Sequence, residues 1–394
     1  MSNEIVYQRR GLDRYLVLLV LLLSAFGLLM VYSVSQPLTE QPLLYFKKQA
    51  MHLMLGMALM LLLSGADLRR LDNSKVIGAI MAVVFVLLIL TFIPPFAAPA
   101  KGAHRWINLP VHLQPSELAK ATMILFFAHY LAAQGEGIRR FWRGVVPLVG
   151  IAMPFIGLIA IEPDLGAAAV IAALMILMLF IGGAQWRVIG LGFVGGALFI
   201  ASQIVMAPWR VKRLLGFLDP SRDPLGVNWQ TWQAQIAIGR GGLTGVGIGN
   251  GWQKFYFVPE MHTDFILANL GEEMGLLGLL LAFLLFFFLI WRSIRLCLRA
   301  TDLFVRLCGL GAALLIGMQV LINAAVVMSL LPNKGLSLPF FSYGGSNTLL
   351  NFALIGVILA AARQAPVDAT SKPKVLHLLQ RRELPAESEE GITC

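Results

Sequence analysis

The sequence predicts an all-α, polytopic integral membrane protein of about ten transmembrane helices. Both termini are expected in the cytoplasm, with one large extracytoplasmic loop between helices 7 and 8. Three observations predict this. The chain of 394 residues is 58% hydrophobic and only 13% charged, whereas soluble domains carry about a quarter charged residues. Apolar runs long enough to cross a bilayer recur along the whole chain. The basic residues lie between those runs and not on one polar face, so the net charge of +10 does not read as a nucleic-acid surface.

The spans are expected near 14–33, 50–66, 76–94, 116–133, 145–161, 165–183, 187–206, 265–290, 306–330 and 346–362. The first starts at Tyr15 and lacks a small-residue cleavage site, so it reads as a retained helix rather than a signal peptide. An even number of spans puts both termini on one side. Arg9, Arg10, Arg14, Arg69, Arg70, Lys75, Arg139, Arg140, Arg143 and Arg187 fall on that side. So do Arg292, Arg295, Arg299, Arg306 and the basic residues of the tail. The short loops opposite hold only Lys47, Lys48, Lys101, Arg105 and Lys334. The excess marks the cytoplasmic side.

Residues 1–13 are therefore read as a cytoplasmic segment, 14–364 as the membrane domain, and 207–264 as its large outer loop. The polar tail, 365–394, carries Pro366, Pro373 and Pro385 and is expected to be disordered. Cys297, Cys308 and Cys394 fit neither a metal knuckle nor a disulfide framework and are expected as free thiols.

This orientation sends the unusual polar residues to the outer face. VPEMHTDFILANLGEEMG places Glu260, His262 and Asp264 at the mouth of the eighth span, with Glu272 and Glu273 about two turns further in. Thr263 or Asp264 suits a helix cap, which leaves Glu260 and His262 unexplained. A metal reading of Glu260, His262 and Asp264 has no helical HExxH or second ligand cluster behind it. Charges such as Glu272 and Glu273 inside a span usually pair or line a polar cavity. Glu117 and Lys120 share a helix face and would neutralise each other. Glu162 and Asp164 flank Pro163 in a tight turn. Arg210, Lys212, Arg213 and Lys254 read either as solvated loop residues or together as ligands of a phosphate-bearing headgroup. GRGGLTGVGIGNG lacks a βαβ context, so its glycines are read as permitting turns and close backbone approach. Trp106 suits an interfacial anchor or a sugar face.

With these motifs in view, the chain resembles the SEDS family (shape, elongation, division and sporulation), which comprises RodA, FtsW and SpoVE. The resemblance covers about residues 10–365 and rests on GAHRWINL, QPSELAK, EPDLGAA, FLDPSRDPLG, PEMHTDF, GEEMGLLG and LPFFSYGGS. LLPNKGLSLPFFSYGGS, with Lys334 before Gly335, is most similar to the division type. The chain departs from the pattern at WQTWQA, where Trp229 and Ala234 differ, and at Asn347.

The resemblance implies a peptidoglycan glycosyltransferase that polymerises lipid II at the outer face of the cytoplasmic membrane, for septal wall synthesis. It implies work with a class B penicillin-binding protein among other division or elongation proteins. It makes Asp264 the acidic residue essential for polymerisation, read here as the base on the acceptor hydroxyl, and Trp106 an important residue of the first large outer loop. Trp106, Glu260, His262, Lys334 and Ser342 are expected to help bind substrate beside the four loop cations, with undecaprenyl pyrophosphate as the leaving group. No cofactor is expected, with assistance by a divalent cation left open. Rival readings are a lipid II flippase and a non-catalytic scaffold for the transpeptidase. The gathering of polar residues on one face argues against a transporter, which needs comparable chemistry open to both sides in turn.

Overall fold

The computed structural model describes residues 11–36, 43–93, 97–100, 103–107, 114–162, 164–218, 229–255, 261–332 and 335–364. Glu260, Lys334, residues 1–10 and the tail from 365 lie outside the described residues.

Ten long helices coincide with the expected spans. They are α1 (Arg14–Ser35), α2 (Leu43–Ser64), α3 (Ser74–Leu90), α4 (Pro115–Gln134), α5 (Val146–Ile161), α6 (Leu165–Ile181) and α7 (Trp186–Val205). After two shorter helices come α10 (Ile266–Cys297), α11 (Leu303–Val327) and α12 (Gly345–Arg363). Seven of these are long and apolar enough to cross a membrane, counting α5 from Phe141. Helices α3 and α6 are apolar but shorter, and α4 carries Glu117 and Lys120. The protein is a multi-pass membrane protein.

Local chemistry sets several starts. Asp13, Asn73, Asp164 and Asp302 cap α1, α3, α6 and α11 by accepting N–H groups of the first turn. Pro115 opens α4 where its missing N–H has no helical partner anyway. Cross-helix polar bonds then pin alternate helix ends together. On the face where α1 begins, Arg292 donates to Asp13 at 2.6 Å, and His129 joins Asp72 and Ser74 at 2.6 and 2.9 Å. On the opposite face, Thr91 donates to Glu162 at 2.6 Å and the Gln114 N–H donates to Ser346 at 3.3 Å. Helices α11 and α12 are the most enclosed, while nearly all of α7 faces outward.

Several features depart from the expected plan. The loop after α3 forms a small antiparallel hairpin, β1 (Ala97–Ala100) with β2 (Ala103–Ile107), the only strands among the described residues. The large loop holds two helices, α8 (Pro208–Leu218) and α9 (Trp229–Gly241). Helix α2 also starts seven residues earlier than expected, which puts Lys47 and Lys48 on its first turns.

Helix α10 is not one straight span. Gly275 has φ 64° and ψ −161°, which breaks it. The glycine-rich segment after α9 caps both broken ends. Val246 and Gly247 N–H groups donate to the Glu272 and Glu273 carbonyls, each at 3.0 Å. The Gly242 and Leu243 carbonyls accept from Leu276 at 2.9 Å and Leu277 at 3.1 Å. Groups that a helix end leaves orphaned are thus satisfied by the loop. Glycine is required for this approach: a side chain on Gly241 or Gly245 would run into the α10 backbone at Gly271 or Glu273. The close backbone approach read from the sequence is therefore present.

Candidate active site

Asp264 sits in the turn 261–264, directly before α10, and three successive carbonyls of that turn are gripped from elsewhere. The Tyr343 N–H donates to the His262 carbonyl at 2.9 Å. The Ser342 hydroxyl donates to the Thr263 carbonyl. The Asn323 amide of α11 donates to the Asp264 carbonyl at 2.9 Å and to the Leu336 carbonyl at 2.7 Å. Each bond removes a freedom of the turn, so the Asp264 side chain is aimed by its backbone. The N-cap position of α10 is Phe265, which offers no side-chain cap, and not the expected Thr263 or Asp264. The Asp264 carboxylate lies against Gly335, where an added Cβ would stand 2.8 Å from Oδ2. Glycine at 335 leaves room for it.

The segment from Gly335 to Gly344 is held as firmly as the turn it holds. Phe340 has φ 64°, a strained value for a bulky residue. It is fixed by burial and by an edge-on contact with Phe352, centroids 5.4 Å apart. Phe341 packs on Phe26 and Phe286 at 5.1 and 5.7 Å. Gln49 of α2 donates to the Ser342 carbonyl at 3.2 Å and accepts the Gly344 N–H at 3.4 Å. Burial and the charge of Tyr45 push the Tyr343 phenol above its ordinary range, so it stays a neutral hydroxyl at pH 7.

Ser342 was expected to bind substrate. It is 1% exposed, and its oxygen also accepts the Leu338 N–H at 2.8 Å, so it positions the turn instead.

A second polar patch adjoins the first through the α12 N-terminus. The Asp164 carboxylate caps α6 and accepts from Gln114 at 3.2 Å and Ser116 at 3.3 Å. One turn along α4, Lys120 and Glu117 form the expected buried pair at 2.7 Å. Trp106 lies half-buried on β2, which packs against α4.

The other carboxylates take structural posts. Glu272 accepts the Trp252 N–H at 2.8 Å and the Gln253 N–H at 3.1 Å, with Arg240 at 3.6 Å. Lys254 was expected at a phosphate, and its position corrects this. Its ammonium is buried and donates to Glu273 at 2.9 Å, Ser33 at 3.0 Å and the Gly249 carbonyl at 2.7 Å. Glu272 and Glu273 were expected two turns into a continuous span. They lie instead at the break, level with Ser33 near the end of α1, because Gly275 turns the chain. Arg210 of α8 donates to the Gln203 carbonyl at 2.8 Å, at the end of α7. Lys212 is exposed and Arg213 half-buried on the same helix. Among the described residues, no group of three or more His, Cys, Asp and Glu could hold a metal ion.

Residues 13–366 match the model of the FtsW/RodA/SpoVE family of cell cycle proteins. The chain belongs to this family. It is 38% identical over 358 residues to stage V sporulation protein E of Bacillus subtilis, covering 89% of this chain and 97% of that one. It is 37% identical over 364 residues to the probable peptidoglycan glycosyltransferase FtsW of Trichlorobacter lovleyi, covering 90% and 95%. Among solved structures, it is similar to a chain of a peptidoglycan synthase complex that coordinates polymerization and crosslinking. There the TM-score is 0.75 at 29% identity, over 91% of this chain and 99% of that chain. It is also similar to the rod shape determining protein RodA of Thermus thermophilus, with a TM-score of 0.67 at 28% identity over 93% and 100%.

Asn323 was missed in the sequence. Its signal was available: Asn323 is one of two amides, with Gln319 a turn earlier, in the apolar run of α11, where a polar side chain needs a partner. In this FtsW/RodA/SpoVE member that partner is the turn carrying Asp264.

Proposed function

We propose that this chain is a peptidoglycan glycosyltransferase of the cell-division type that polymerises lipid II at the outer face of the cytoplasmic membrane. The observation that carries the proposal is the triple anchoring of residues 262–264, which holds one carboxylate in place at a helix mouth.

In this reading all ten long helices cross the bilayer and both termini are cytoplasmic. Residues 14–364 form the membrane domain, with 207–264 as the outer loop. The pinning of alternate helix ends supports that topology. The solved synthase complex that couples polymerization with crosslinking supports a transpeptidase partner, of the class B penicillin-binding kind.

Lipid II arrives activated, because its disaccharide is linked through pyrophosphate, a good leaving group. Replacing an α-linked pyrophosphate by a β-1,4 glycosidic bond inverts the anomeric centre, as a single displacement does. The acceptor hydroxyl must then lose its proton as it attacks. Asp264 takes that proton, a role that typically contributes about 10²–10⁴-fold. The departing pyrophosphate needs cations. Of the four expected loop cations, Lys212 and Arg213 are the candidates, with Arg210 tied partly to α7 and Lys254 committed to Glu273.

The test is strand synthesis from lipid II in detergent, where no membrane sidedness exists, with the partner's transpeptidase serine inactivated. The wild-type pair should make glycan strands. The Asp264→Asn pair should assemble normally and make none. Strands from Asp264→Asn remove the base assignment, and their absence with wild type favours a scaffold.

A further inference from the structure

We infer that Tyr45, His262 and Tyr343, with Lys48 at their rim, form a subsite for a phosphate-bearing pyranose beside Asp264. The inference rests on the polymerase reading above and deepens it.

Three separate elements bring these rings together. Tyr45 comes from α2, His262 from the Asp264 turn and Tyr343 from the segment that grips it. Tyr45 and Tyr343 meet at 5.1 Å between centroids, Tyr45 and His262 at 5.5 Å, and His262 and Tyr343 at 5.8 Å. His52 stands 6.2 Å from Tyr343. His262 is two residues from Asp264, and the Tyr343 N–H holds its carbonyl.

The cluster differs from the core rings around it. Phe340, Phe341 and Phe352 are buried, as rings that only fasten helices should be. Tyr45, His262 and Tyr343 are only partly buried. A pyranose has an apolar C–H face and a hydroxyl rim. A tyrosine offers the matching pair, an apolar ring and a polar tip. Binding sites commonly combine such aromatic walls with a few placed polar groups.

The α2 face supplies the rest. Tyr45, Lys48, Gln49 and His52 lie at i, i+3, i+4 and i+7, so they share one side of the helix. Gln49 locks that side to residues 342–344. Lys48 is exposed, which places an ammonium at the open edge of the rings. His52 Nδ1 is buried with no protein partner among the described residues, a polar atom that a guest or its water would satisfy. Rings for a sugar beside a cation for a phosphate describe a glycosyl phosphate ligand.

Binding is measured with the full-length Asp264→Asn chain, which cannot turn substrate over. The probes are lipid II and, as a sugarless control, undecaprenyl pyrophosphate. Tyr45→Ala and Tyr343→Leu should weaken lipid II binding about tenfold, the size of one lost ring contact, and should leave the control within about twofold. Tyr45→Phe should recover most of the lipid II affinity. Lys48→Gln, at an exposed position with little bearing on folding, should weaken both probes alike and reduce their salt dependence. Equal losses for both probes on ring removal, or unchanged lipid II binding in all four variants, overturn the subsite. A wild-type chain that binds lipid II but forms no strands overturns the polymerase reading alone.

Discussion

The Ser342 hydroxyl donates to the main-chain carbonyl of Thr263, the residue before Asp264. The same oxygen accepts the Leu338 N–H at 2.8 Å, so one buried side chain ties the 335–344 segment to the turn that carries Asp264. Ser342→Ala leaves a buried donor and a buried acceptor without this partner, at a cost of about 1–3 kcal/mol. The expected outcome is a lower unfolding midpoint in detergent and a reduced strand-synthesis rate, with lipid II affinity nearly unchanged. A rate equal to wild type would show that the turn holds Asp264 without this bond.

Lys254 and Glu273 are both fully enclosed, with Ser33 of α1 bridging them. Removing one charge strands the other, which typically costs about 3–5 kcal/mol. Lys254→Met should therefore destabilise strongly. The double variant Lys254→Met with Glu273→Met should recover most of the loss, since a buried ion pair and an apolar pair are often close in energy. A double-mutant cycle on unfolding midpoints measures the coupling. Additive effects would mean that the pair does not hold the broken helix to α1.

The glycine-rich segment offers an internal control. Gly242 and Gly245 both have positive φ, at 53° and 81°. A side chain at 242 meets open space, whereas one at 245 meets the Glu273 carbonyl. Alanine at either position strains the backbone by about 1–3 kcal/mol. Only Gly245→Ala must also push the loop off α10. Gly245→Ala should thus unfold at a clearly lower temperature than Gly242→Ala and lose strand synthesis. Matching midpoints would reduce the segment to a series of tight turns.

The long helices were legible because each apolar run is its own signal, which the bilayer requires to be helical. What the sequence hid follows from contacts between distant segments. Helix α9 is too polar to stand out and exists because Ala234 and Ala237 are buried where it packs on α10. The break at Gly275 looked like a continuous span, since Leu276 to Ile290 is hydrophobic apart from Gly278. Two adjacent carboxylates between Gly271 and Gly275 were the clue, because a straight apolar helix has no place for them. Lys254 looked like a phosphate ligand because its partner, Glu273, lies across a loop and its third contact lies on α1. Asp264 itself stood out by its neighbours, but the anchors on 323, 342 and 343 come from elements that only the fold brings together.

The clamp on the opposite face predicts an acid response. Burial pushes the Asp13 carboxyl up. The hydrogen bond from Arg292, the N–H of Leu16 and the charges of Arg292 and Arg299 outweigh this and hold it below its ordinary value of 3.8. A carboxylate depressed on folding stabilises the fold at every pH above its unfolded value, about 3.9. That contribution fades as pH falls through the lower, folded value. Arg292 stays charged throughout, and its contact with the Tyr15 ring at 5.4 Å does not titrate. The midpoint difference between wild type and Arg292→Gln should therefore be constant from pH 7 to about pH 5. It should shrink below about pH 4 without vanishing. Detergent unfolding scans at a series of pH values read it directly. A difference that stays the same down to pH 3 would mean that Arg292 acts through Tyr15 packing and not through the Asp13 charge.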